Sequence, residues 1–446
     1  LDSNLRQRLF RGTLWLTIGS FGTKALSLAS SVVLARVLGR TGLGEFGAVY
    51  STLFMFEAVA SFGMNGTAAR HVARWRTTQP RRAAMMVGFT CRIAAVTGLV
   101  LAAMMTWLAP WISSALLSAP HICPYIRIGS LVLVFMALDA AQTGSLMGFE
   151  ATRAIAVVGI GNGIVYPVVM VSAALLDGVR GAVWGAAVCA GLKYCLNRYY
   201  LRQELAGLAQ GTEDERVAHY DWPVLWKFSV PTVMAGLLVA PVAWACNAWL
   251  VRQPGGYAAL GVLGVAASWM QIVTFLPSNI GTLAMPVLSN LLGDNDRSGF
   301  RQALLYKVMT AATAAVVTAL PIALLANQVL RLYGQEYADG APVLMLSCAV
   351  AVMTSILAPL GAPITSAGMM WVSFALNAIW AAVCLGGAFL LIPAQGAMGL
   401  LKAQLVAYAC LAVLVTLTVR LLWRRVSAVP SAPQDDPAGF TSLTGA

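Results

Sequence analysis

Phe10-Arg11-Gly12-Thr13-Leu14-Trp15-Leu16-Thr17 opens an apolar run that carries one lysine, Lys24, and ends at Ala35-Arg36-Val37-Leu38-Gly39. Gly42-Leu43-Gly44-Glu45-Phe46-Gly47 leads into a second apolar run, closed by Phe62-Gly63-Met64. About 20 apolar residues suffice to cross the ~30 Å hydrocarbon core of a bilayer as a helix. The stretch therefore reads as a transmembrane hairpin with a six-residue glycine-rich turn, and the remainder of the chain repeats this plan.

Of the 446 residues, 59% are hydrophobic and 10% charged, against about a quarter charged in soluble domains. The apolar runs are continuous and lack the two-residue alternation of a barrel strand, so the spans are helices, which satisfy their own backbone hydrogen bonds in lipid. The predicted fold class is all-α: a polytopic membrane protein of about twelve transmembrane helices in two six-helix lobes around a central cavity. The spans are expected near 12–38, 44–66, 86–109, 125–147, 155–176, 182–201, 224–250, 257–282, 304–326, 342–363, 371–392 and 399–422, with 283–292 as a possible extension of the eighth. The lobes would be 1–222 and 223–426, and the Pro-, Ser- and Asp-containing segment 427–446 is expected to be a disordered cytoplasmic tail. Gly44 and Gly47 open the second span as Gly261 and Gly264 open the eighth, which suggests a parallel repeat about an axis along the membrane normal.

The net charge of +12 does not indicate a nucleic-acid partner, because the cations cluster between spans. Nineteen of the 29 Lys and Arg residues fall on one side, and Arg36, Arg40, Arg127, Arg180, Arg252 and Arg331 on the other. That bias places both termini in the cytoplasm. The basic start (Arg6, Arg8, Arg11) precedes an apolar run too long for a cleaved signal, so the first span is expected to be retained. Eight scattered cysteines, with no CxxC, read as packing residues rather than disulfides or metal ligands. Three histidines and no Walker loop, HExxH or triad spacing give no enzyme signature, and no cofactor is implied.

Ionisable residues inside spans are costly and face a bundle interior or a cavity by default. Thr17, Ser20, Lys24, Ser27 and Ser31 recur every three or four residues, so Lys24 lies near mid-depth on a polar helix face. Lys24 and Gln271 are candidate substrate-binding residues, the latter in a stripe of Ser268, Gln271, Thr274, Ser278 and Thr282 beside Trp269 and Asn279. Arg92 and Lys193 are further candidates, although each can snorkel to a nearby basic end, at Arg82 and Arg198. Lys402 reads as an anchor at the end of the last span. Glu57 and Asp139, the latter with Gln142 and Thr143 on its face, are either ion-coupling groups or parts of a structural ion pair.

The run from Gly12-Thr13-Leu14-Trp15 through Leu34-Ala35-Arg36-Val37-Leu38-Gly39, with Gly44-Glu45-Phe46-Gly47 and Phe62-Gly63-Met64, resembles the opening of the bacterial polysaccharide transporter family. These are O-antigen and exopolysaccharide repeat-unit flippases, in the superfamily that also holds peptidoglycan-precursor flippases and multidrug extruders. The resemblance implies an inner-membrane protein that moves an undecaprenyl-pyrophosphate-linked glycan between leaflets, among membrane lipids and alongside a polymerase and other glycan-assembly proteins. In the peptidoglycan-precursor relatives a first-helix cation lies twelve residues before the Arg of the Ala-Arg element, which is Lys24 here. A second cation of those relatives falls at Ser30, so their complete phosphate site is not carried over. The alternatives are a drug extruder, a membrane-embedded glycan polymerase or acyltransferase, and a scaffold of an assembly complex. The last two enzymes would need a long periplasmic loop or a buried histidine.

Overall fold

The computed structural model describes residues 3–61, 63–209, 238–293, 297–366 and 369–427, and among these there is no strand. The helices are α1 (Ser3–Ala60), α2 (Met64–Trp75), α3 (Pro80–Trp111), α4 (Cys123–Gly148), α5 (Thr152–Ala209), α6 (Val239–Val251), α7 (Gly256–Gly293), α8 (Arg297–Leu324), α9 (Ala326–Arg331), α10 (Ala341–Ser366) and α11 (Met370–Ser427). Eight are long and apolar enough, by length and composition, to cross a membrane. The expected lobe boundary near residue 222, the first part of the span predicted at 224–250 and the tail beyond Ser427 lie outside the described residues.

Three helices of 58 residues each would run about 87 Å if straight, far beyond a bilayer core. Each is broken, at Gly39, at Asp177–Gly178 and at Gly396. The last two breaks are hairpins. Gly387 packs on Ala403, with an ideal Cβ only 3.0 Å from the alanine Cβ, although 16 residues along a straight helix would separate them by about 24 Å. Gly178 and Gly396 adopt φ 55, ψ −133 and φ 54, ψ −129, a region that a side chain makes costly.

Those two hairpins match in more than their dihedrals. α5 and α11 have equal lengths and begin 218 positions apart, and α4 and α10, each of 26 residues, keep the same offset. Within the hairpins, Gly181 meets the carbonyl of Ala173 as Gly399 meets that of Leu391. The chain is thus an internal repeat of about 218 residues. α2 to α5 pack chiefly with α1 and each other, α8, α10 and α11 with α6 and α7, and the halves meet where α1 lies along α6 and α7.

That seam corrects the reading of the glycine-rich stretch. Only Gly39 (φ 70) breaks α1; Gly42, Gly44 and Gly47 are helical, so the expected six-residue turn does not exist. Gly44 and Gly261 instead let two backbones touch. A Cβ on Gly44 would lie 1.8 Å from the Tyr257 oxygen, and one on Gly261 2.0 Å from the Arg40 oxygen. Each glycine meets the residue four before the other, as a two-fold-like crossing requires. The second span also ends earlier than the predicted residue 66. Helix α1 stops at Ala60, and the left-handed Gly63 starts the amphipathic α2, which buries Met64, Thr67, Ala68, Val72 and Trp75. α7 continues through 283–292 to Gly293.

Candidate functional site

Lys24 Nζ donates to Gln271 Oε1 at 3.0 Å, joining α1 to α7 across 247 residues of sequence. Lys24 lies 15 residues before the Gly39 break and Gln271 lies 15 after the start of α7, about 22 Å of helix each. The amide oxygen positions the ammonium without neutralising it, whereas a carboxylate would cancel its charge. Farther along α1, Ser31 Oγ lies 3.0 Å from Tyr333 Oη, which accepts from Trp269 Nε1 at 3.1 Å. The other hydroxyls of the α7 stripe bond their own helix: Ser268 to Gly264, Thr274 to Met270 and Ser278 to Phe275. They stabilise packing, and Gln271 is the member that reaches across. The side chains of Thr17, Ser20, Asn279 and Thr282 lie outside the described residues.

A second polar centre lies within the first half. Glu57 of α1, Asp139 of α4 and Lys193 of α5 line a cavity of about 410 Å³ with Tyr50, Asn65, Phe135, Thr143, Asn162 and Tyr166. Asp139 accepts Lys193 Nζ on Oδ2 and Asn197 Nδ2 on Oδ1, both at 2.6 Å. Asn197 Nδ2 also lies 3.4 Å from Thr143 Oγ1. Asp139 and Thr143 on one helix, and Lys193 and Asn197 on the other, are one turn apart and therefore face each other as pairs. The Glu57 carboxylate has no hydrogen-bond or ion-pair partner among the described residues. Behind Asn162, Gly163 packs on Thr23, where a Cβ would sit 2.7 Å from the threonine methyl. The cavity wall is therefore adjacent to the residue before Lys24.

The six candidate residues thus divide. Lys24 and Gln271 come together at the seam, while Glu57, Asp139 and Lys193 come together in the cavity. Lys193 points to Asp139 rather than snorkelling toward Arg198, and Gln142 turns into the core instead of joining Asp139. Arg92 is exposed on α3 and does not line the cavity. Lys402 bonds Gln395 at 2.8 Å across the Gly396 hairpin, an anchoring contact. Among the described residues no cluster of three His, Cys, Asp or Glu side chains could hold a metal. Sequence reasoning missed Tyr333, Asn162, Tyr166 and Asn197; of these, Asn197 was marked by its four-residue spacing from Lys193.

The seam is closed at the face carrying Gly39. Arg36 Nε donates to the Leu332 carbonyl at 2.7 Å. Arg40 donates to the carbonyls of Ala258 and Glu336 and forks onto Asp339 at 2.8 and 3.0 Å. Tyr257 Oη donates to the Leu117 carbonyl at 2.7 Å. At this face, then, polar contacts of both halves tie them together.

Known proteins extend the picture. The chain is 25% identical over 399 residues to the EPS I polysaccharide export inner membrane protein EpsE of Ralstonia nicotianae, covering 87% of this chain and 88% of that protein. The Ralstonia solanacearum protein of the same name is 24% identical over 402 residues, with 88% and 89% covered. In fold the chain is similar to an inward-facing multidrug resistance MATE family transporter of the MOP superfamily, at TM-score 0.72, 14% identity and coverage of 92% and 96%. It is also similar to the lipid II flippase MurJ in an inward closed conformation, at TM-score 0.70, 12% identity and coverage of 91% and 87%. A family of polysaccharide biosynthesis proteins matches residues 9–292, a stretch that takes in α1, the cavity and the α1–α7 seam, and the chain is a membrane-spanning member of that family.

Proposed function

We propose that the chain is a flippase that carries an undecaprenyl-pyrophosphate-linked oligosaccharide from the cytoplasmic to the periplasmic leaflet by alternating access between two six-helix lobes, 1–222 and 223–426. The Lys24–Gln271 contact carries this reading. A lysine near mid-depth costs several kcal/mol unless a polar interior receives it, and here it is held at the seam of the two halves by a neutral partner. Its positive charge stays available for an anion, and a pyrophosphate between an apolar tail and a glycan is such an anion. Lysine attracts it as a point charge, without the planar fork of arginine.

The contacts of Arg36, Arg40 and Tyr257 support alternating access, because they close one face while Lys24 lies deeper. The bias of the cations supports a periplasmic position for that face and cytoplasmic termini. Polysaccharide export, named for EpsE, and the flipping of lipid II, named for MurJ, are consistent with the same transport class. The test is polymer export in cells whose own copy is deleted. Lys24→Ala is expected to abolish export at normal membrane abundance, and Lys24→Arg to restore a substantial part of it. Full export by Lys24→Ala would remove the assignment.

A further inference from the structure

Building on that flippase reading, we infer that the cavity of the first half is a saccharide subsite for an uncharged or amino-bearing sugar ring, and that it rejects acidic sugars. The repeat supplies the first argument. At the positions 218 residues on, Asp139, Asn162, Tyr166, Lys193 and Asn197 are replaced by Leu357, Trp380, Cys384, Leu411 and Val415. Trp380, Cys384 and Val415 are buried there. The second half therefore makes the same hairpin and the same helix pair with apolar side chains. The fold does not need the polar set, which the first half nevertheless keeps around an open cavity.

Its chemistry is that of a sugar site. The volume of about 410 Å³ exceeds what a bare ion needs and accommodates a hexose ring with water. Tyr50, Phe135 and Tyr166 offer aromatic walls, while Asn162 and the carboxylates offer planar groups for hydroxyls. Asp139 is already occupied by Lys193 and Asn197, so it is not a vacant cation ligand. Glu57 is the acceptor without a partner, and hydroxyl, amino or acetamido hydrogens satisfy it. With Lys193 offsetting Asp139, Glu57 leaves the cavity net acidic when ionised, which repels phosphate and uronate alike. The adjoining Lys24 is positive. A pyrophosphate-linked sugar is thus oriented, with its anion at the seam and its ring beyond Gly163 in the cavity.

The test uses the full chain in proteoliposomes and three synthetic probes, each a short polyprenyl pyrophosphate carrying one hexose, one 2-amino-hexose or one hexuronate. The wild type is expected to move the first two over the hexuronate by tens of fold, the scale of repulsion between two carboxylates about 8 Å apart at an effective dielectric of about 20. Glu57→Gln is expected to raise hexuronate transport and collapse that ratio, and Asn162→Asp, which adds a carboxylate, to widen it. Equal scaling of all three probes in both variants would overturn the subsite. So would an unchanged sugar order accompanied by loss of a pH-gradient response, which would make Glu57 a proton-coupling group. A wild type that moves none of the probes overturns the flippase reading as well, so the two failures are distinct.

Discussion

Replacing Gly44 by alanine adds one carbon atom at the tightest point of the seam. That carbon would lie 1.8 Å from the Tyr257 carbonyl oxygen, and 2.7 Å from its carbon. Ordinary carbon–oxygen contact begins near 3.2 Å, so α1 and α7 must separate by more than about 1 Å, and the obstacle is backbone rather than a flexible side chain. Overpacking of this kind costs about 1–3 kcal/mol. Gly47, one turn along the same helix, provides the control. Its Cβ would sit 3.8 Å from Leu260, an ordinary contact, and alanine gains up to ~1 kcal/mol in helix propensity. The same substitution should therefore have opposite signs three residues apart. Gly261→Ala meets the Arg40 carbonyl at 2.0 Å and should resemble Gly44→Ala. Because either change already spreads the crossing, the double variant should cost less than the sum of the two. Melting of the purified protein in one detergent measures all four variants. Equal effects at Gly44 and Gly47, or strict additivity of Gly44→Ala with Gly261→Ala, would refute the crossing.

Two further substitutions probe the polar contacts. Lys193→Met leaves Asp139 half-buried without its counter-charge but still bonded to Asn197, and should destabilise by about 1–2 kcal/mol, well below a fully buried pair, whereas Lys193→Met with Asp139→Leu, copying the apolar second half, should recover most of it; melting midpoints decide, and no recovery would refute the repeat-based argument. At the closed face, Asp339→Asn should cost at most about 1 kcal/mol because the carboxylate is 68% exposed, and joining cysteines placed at 40 and 339 with a short thiol-reactive bifunctional crosslinker, in a chain whose eight native cysteines are replaced, should block export, with unimpeded export by the crosslinked form counting against opening at this face.

Much of the fold was legible because membrane helices declare themselves by hydrophobic length. The helical class, most span positions and the correspondence of Gly44 and Gly47 with Gly261 and Gly264 follow from apolar runs and glycine spacing. What the pattern does not supply is the partner. Periodicity placed Lys24 and Gln271 on polar faces, but no local rule links residues 247 positions apart. Lys193 was ambiguous for a related reason: a cation near a basic end has a solvent explanation, and only the packing of α4 on α5 shows Asp139 opposite it. The glycine-rich stretch was misread as a turn because glycine serves both loops and close helix contact, two uses that composition does not separate. Tyr333 gave no signal at all, since it follows a short helix in a segment with no period.

The matched hairpins at Gly178 and Gly396 bear on how such a chain diversifies. Two copies of one architecture differ at these positions: one carries apolar side chains where the other lines a cavity with polar ones. Substitutions in the chamber then change what it admits without disturbing its partner, so selectivity can drift while the frame on which both copies depend stays intact.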